Sequence, residues 1–249
     1  MKKSVVKVGI LAAVAILIII VFFVYNHSKA NKVTDAEVEQ GIEMIKKLEA
    51  VEVADVEEVM ESIAVAESES EKAWHERPLI ERFENAMVLG DSEAASLAAY
   101  GILQDSQVAA KIGCKVENSD EHVQTAIDKK PAVVFMTYGK NDLGYYGSAE
   151  EFAEVYGEKL AMLKDGIPNV RIYVVSILPS TQAVKEEMPY MGNDASFNEA
   201  LKAKASEMGL EYIDCTGLVQ DEYYEPDGIH YIRDLYEEWA IYMADIAEI

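Results

Sequence analysis

Hydrophobic and polar positions follow three successive rhythms along the chain. Val8 to Tyr25 is an apolar run without a charged residue. Such a run, as a helix, reaches across most of a bilayer core. Lys2, Lys3 and Lys7 precede it, which predicts a cytoplasmic amino end and an exported remainder. A cleaved signal is the competing reading, because Ser28-Lys29-Ala30 offers a small-x-small site. Residues 1–30 are therefore expected to be an anchor or a signal. From 31 to 80 apolar residues recur at three- and four-residue steps: Val38, Ile42, Ile45, then Val53, Val56, Met60, Ile63. Thr34 and Glu37 offer a capping box, and Glu67 to Glu71 has no apolar face. This stretch predicts an acidic helical stalk.

Beyond residue 81 short apolar runs alternate with amphipathic stretches. The runs Ala86–Leu89, Gln107–Ile112, Ala132–Thr137, Val170–Leu178 and Glu211–Asp214 predict strands. Helices are predicted over Ser92–Tyr100, Asp120–Lys129, from a Ser148 cap through Lys164, over Ala195–Met208, and over Asp234–Ile249. The alternation predicts one α/β domain, 81–249, with parallel strands joined by right-handed crossovers. In such open sheets ligands bind beyond the strands' carboxyl ends.

Composition narrows the function classes. A chain of 249 residues, half of them hydrophobic, accommodates one such domain and its attachment. A formal charge of −23 repels phosphate backbones, so nucleic acid is not an expected partner. Cys114 and Cys215 cannot form a disulfide framework and are read as free thiols. No P-loop, GxGxxG or zinc-type Cys/His cluster occurs, and Asp221, Glu222 and Glu225 lack EF-hand spacing. Neither a cofactor nor a metal is expected.

Three strings carry the candidate chemistry, each at a strand end or in the loop after the last strand. Gly90-Asp91-Ser92 places a serine at a strand-to-helix turn, where its hydroxyl points into the cleft and backbone N–H groups face a developing oxyanion. Asn141 in Gly139-Lys140-Asn141-Asp142 supplies a side-chain amide for the same oxyanion. His230 alone of the four histidines follows an aspartate at three residues' distance, in a Pro226-Asp227-Gly228 loop. That spacing lets Asp227 accept from Nδ1 and leaves Nε2 free to take the serine proton. Gly113, after the second predicted strand, is the candidate backbone donor. Glu93, directly after Ser92, is expected to face solvent and favour the helix dipole. Tyr145, Tyr146 and Tyr190 are either a substrate platform or packing residues.

Together the strings resemble the SGNH (GDSL-type) hydrolases: Gly90-Asp91-Ser92 its first block, Gly139-x-Asn141-Asp142 its third, Asp227-x-x-His230 its last. The resemblance covers about Ala86 to the carboxyl terminus. It implies a flavodoxin-like three-layer α/β/α domain with a five-stranded parallel sheet in the order 2-1-3-4-5. It implies ester hydrolysis without a metal, often of acetyl esters on carbohydrates. Ser92, Gly113, Asn141 and His230 carry over, with Asp227 orienting His230, and Asn198 sits where the family often places a structural asparagine. The expectation is a single-pass membrane serine esterase, its catalytic domain outside the cytoplasm, or a secreted one if cleaved after Ala30. A lysophospholipase, a thioesterase or an O-acyltransferase would use the same site. A surface-binding protein on a hydrolase fold is the non-enzymatic alternative.

Overall fold

The computed structural model describes Val38, Glu39, Ile42 and residues 75–249. The chain divides into two units, Met1–Glu69 and Ser70–Ile249. In the first, Val38, Glu39 and Ile42 are helical, with Val38 and Ile42 exposed. The apolar run 8–25, the Ser28–Ala30 site, the Thr34/Glu37 box and the rest of the expected stalk up to residue 74 lie outside the described residues. Among the described residues no helix is long and apolar enough to cross a membrane.

The second unit is built around a five-stranded parallel sheet: β1 (Ala86–Gly90), β2 (Val108–Ala110), β3 (Val133–Met136), β4 (Arg171–Val175) and β5 (Glu211–Ile213), ordered β2-β1-β3-β4-β5. A short turn of helix, α1 (Leu79–Arg82), precedes β1. The remaining helices are α2 (Ser92–Ala99), α3 (Asp120–Lys129), α4 (Ala149–Gly166), α5 (Gln182–Glu187), α6 (Asp194–Glu207) and α7 (Arg233–Ala247).

Strand side chains alternate between two cores. Met87, Leu89, Val134, Met136, Ile172 and Val174 pack with α3, α4 and α6. Ala86, Val88, Val133, Phe135, Tyr173, Val175 and Ile213 pack with α2 and α7, where Trp239 is fully buried. Burial on both faces explains why the strands read as unbroken apolar runs. The result is the three-layer arrangement and the 2-1-3-4-5 order that the family resemblance implied.

Segment 75–82, partly assigned to the stalk by its sequence, packs on the end of α7. Arg82 Nη2 bonds Asp245 at 2.6 Å, Arg82 Nε donates to the Ile249 carbonyl at 2.8 Å, and His75 Nδ1 lies 3.2 Å from Asp245. Both cysteines are free and buried.

Two strand ends are shorter than the apolar runs suggest. The run Val170–Leu178 leaves the ladder after Val175 because Asn198 on α6 takes both backbone groups of Ile177. Its Oδ1 accepts the Ile177 N–H at 2.8 Å and its Nδ2 donates to the Ile177 carbonyl at 2.9 Å. The run Gln107–Ile112 ends at Ala110, because Lys111–Cys114 closes a turn (Cys114 N–H to Lys111 O, 3.0 Å) with Gly113 at φ +73°.

Candidate active site

All three strings meet at the carboxyl edge of the sheet. Gly90 ends β1, and a Cβ there would lie 2.2 Å from Thr137 Oγ1 and 2.6 Å from Ala94 Cβ. Only glycine lets the chain turn this close to β3 and start α2 at once. Asp91 caps α2, its Oδ1 accepting the Glu93 N–H at 3.1 Å. Ser92 is the first helical residue, half-buried.

The loop bearing His230 is folded by its own sequence. Pro226 and Asp227 sit inside a turn closed by Gly228 N–H to Glu225 O at 2.9 Å, with Gly228 at φ +67°. A bridge between Tyr224 and Tyr231 and a Glu225 N–H to His230 O bond of 2.9 Å close the loop's base. The hydroxyls of Tyr224 and Tyr231 both donate to the Pro179 carbonyl, and Thr181 N–H donates to Gly228 O at 2.9 Å. The loop is thus pinned to the segment after β4.

This brings His230 Nε2 to 3.2 Å from Ser92 Oγ, while His230 Nδ1 lies 2.7 Å from Asp227 Oδ2. Asp227 Oδ1 accepts the N–H groups of Ile229 and His230, each at 2.9 Å. Partial burial opposes ionisation of Asp227. The bonds from the His230 ring and the two amides outweigh it and hold the carboxyl down to about 2. Asp227 is therefore an anion at neutral pH, fixed against the imidazole.

Asn141 Nδ2 donates to Asp91 Oδ2 at 2.9 Å. One amide proton is used to hold the side chain in place and the second remains for a ligand. Asp91 is fully buried, and burial followed by the neighbouring Glu93 charge pushes its carboxyl well above the usual range. Gly113 lies three residues past the end of β2, exposed, with open space where a Cβ would sit.

Glu93 corrects the sequence expectation. It is 3% exposed and forms an ion pair with Lys140, Nζ to Oε1 3.4 Å. Its first-turn position suits solvent as well as core, so its own segment gives no sign of burial. The signal was the opposite charge on Lys140, in a second string at the same sheet edge. The helix over Gln182–Glu187 was likewise unforeseen. It is six residues long, capped by Thr181 Oγ1, and buries only Val184.

The three tyrosines separate. Tyr145 is exposed, its ring under Lys115 Nζ at 3.8 Å to the centroid. Tyr190 is exposed and stands against Gly144, where a Cβ would meet its ring at 2.7 Å. Tyr146 is half-buried against Phe152, its hydroxyl closed off from solvent. A cavity of about 670 Å³ lies at the opposite, amino edge of the sheet, lined by Arg77, Glu84, Gln104 and Lys129 among others. Among the described residues no group of three or more His, Cys, Asp or Glu side chains is placed to hold a metal ion.

A serine hydroxyl, an imidazole and a carboxylate lie in series at the carboxyl edge of a parallel sheet, the arrangement that serine hydrolysis requires. Residues 88–237 match the GDSL-like Lipase/Acylhydrolase family, well over half of the chain. The protein belongs to that GDSL/SGNH family and is an ester-hydrolysing enzyme. No curated protein matches the sequence. Among solved structures, a GDSL-like lipase from Bacteroides thetaiotaomicron is 14% identical, with TM-score 0.55 over 73% of this chain and 95% of that one. A carbohydrate esterase family 3 protein from Talaromyces cellulolyticus is 15% identical, with TM-score 0.51 over 66% and 95%. An acetyl esterase variant solved with acetate ion is also 15% identical, with TM-score 0.51 over 66% and 95%. At these identities the likeness is one of fold.

Proposed function

We propose that the protein is a serine esterase that removes acyl groups, acetyl foremost, from carbohydrate esters through an acyl-enzyme. The observation that carries this reading is the unbroken path from Ser92 Oγ through the His230 ring to Asp227, with contacts of 3.2 and 2.7 Å. Ser92 attacks the ester carbonyl as His230 Nε2 takes its proton, and Asp227 stabilises the imidazolium. The amides of Ser92 and Gly113 and the free N–H of Asn141 receive the oxyanion. His230 then protonates the departing alcohol. Water, deprotonated by His230, attacks the acyl-enzyme and releases the acid.

Two features support a small acyl group on a sugar. The exposed rings of Tyr145 and Tyr190 suit a sugar face. Structures of the same fold carry the names acetyl esterase and carbohydrate esterase. For location, the reading takes Val8–Tyr25 as a membrane anchor with the hydrolase domain outside the cytoplasm, acting on envelope polysaccharide. Acetate release from a panel of acetylated glycans, parent against Ser92→Ala, tests the assignment. Release by the parent and none by the variant is expected. Equal release by both excludes Ser92, and turnover only of long-chain esters points to a lipase instead.

A further inference from the structure

Lys140 stands directly before Asn141, and Glu93 directly after Ser92. Both are buried, and they face each other at 3.4 Å. That is longer than a tight charge-assisted hydrogen bond, so the contact is chiefly electrostatic. Lys140 Nζ also donates to the Leu178 carbonyl and to Ser180 Oγ, the latter at 3.4 Å, while Glu93 Oε1 is buried without a hydrogen bond of its own. It sits 5.6 Å from the centre of the Tyr231 ring, the residue after His230. One buried cation thus ties the helix that starts at Ser92, the loop that carries Asn141, the segment after β4 and the His230 loop.

We propose that Glu93 and Lys140 are a charged positioning pair for the reaction. The pair fixes the spacing between the Ser92 and Asn141 oxyanion donors. Through the Tyr231 ring, centred 5.6 Å from Lys140 Nζ, it also bears on the loop that carries His230. This rests on the esterase reading and extends it to residues outside the Ser92–His230–Asp227 path.

Several charged or titratable groups face the pair. From the cap of α2 comes Asp91, and from the His230 loop come His230, Tyr224 and Tyr231. Tyr236 faces it from α7. Burial raises the hydroxyls of all three tyrosines, so they stay neutral where the enzyme works. Burial also raises Glu93, while the Lys140 charge and bond, and then His230, favour its ionised form.

Glu93→Gln keeps the shape and removes the charge. If the pair holds the oxyanion donors in place, its loss weakens binding of the transition state more than of the ground state. A kcat lower by about tenfold is therefore expected, with a KM for a short p-nitrophenyl ester within about twofold of the parent. Circular dichroism and a thermal melt establish that the variant is folded. Should it fail to fold, Glu93→Gln with Lys140→Met removes both charges and leaves none buried alone. It is expected to lower kcat in the same way, by less. A parent-like kcat in the folded variant, or a KM raised with kcat unchanged, overturns the proposal. Ser92→Ala run alongside separates the two readings. If it is inactive while Glu93→Gln is parent-like, the pair alone is refuted. If it keeps turnover, the esterase reading falls first.

Discussion

Each side chain at the proposed site is held by a neighbour in the fold. Asp227 fixes the His230 ring, Asp91 fixes Asn141, and the Glu225–Gly228 turn fixes Asp227. Asp227→Asn should lower kcat by about 10²- to 10⁴-fold, because an amide can hold the wrong imidazole tautomer. Steady-state turnover of a short p-nitrophenyl ester checks this, with KM expected to change little. Asn141→Ala should cost about 10²- to 10³-fold in kcat through one lost oxyanion donor. Because Asp227 is held at about 2, below its unfolded value of 3.8, its contribution is present above pH 3.8. It is lost as pH falls through about 2, so an activity limb above pH 5 does not report Asp227. Ser92, Asn141, Asp227 and His230 were legible because each sits in a short string with its partner or at a strand end. Glu93 and Lys140 were not, because neither segment alone marks burial. Tyr146 could not be told from Tyr145 by adjacency, although one is exposed and the other packs on Phe152.

The elements were legible to the extent that local pattern fixed them. Strands buried on both faces appear as apolar runs, and Ser148 caps α4 where expected, its hydroxyl accepting the Glu151 N–H at 3.1 Å. The carboxyl end of β4 was not legible, since Asn198, twenty-one residues on, decides it. Asn198→Ala would strand the Ile177 N–H and carbonyl in a buried setting, at a cost of about 1–3 kcal/mol each if unsatisfied. Denaturant unfolding should show a lower midpoint, and a parent-like midpoint would argue against the clamp. Gly90→Ala should also destabilise, by about 1–3 kcal/mol or more, because the new methyl meets Thr137 and Ala94.

The unit Ser70–Ile249 carries the sheet, both cores and the proposed site. Expressed alone, it is expected to fold and to turn over short esters, with a cooperative melt and activity as the readout. Its stability should depend on pH through buried carboxyls. Asp142 is fully buried, and burial outweighs the Val116 amide bond to hold its carboxyl up at about 7. With a folded value above the unfolded 3.8, this group favours the native state fully below pH 3.8. That contribution fades as pH rises to about 7, with a slope of up to about 1.4 kcal/mol per pH unit between. Denaturant unfolding from pH 5 to 8 should show this decline, and Asp142→Asn should flatten it.

The central claim is that Ser92 is a nucleophile activated by His230 at 3.2 Å. Treating the folded full-length chain with a fluorophosphonate and mapping the adduct by peptide mass spectrometry tests it most directly. One adduct, on Ser92, formed far more slowly in His230→Ala, is the predicted result. An unlabelled Ser92 in folded protein, or equal labelling with and without His230, would contradict the account.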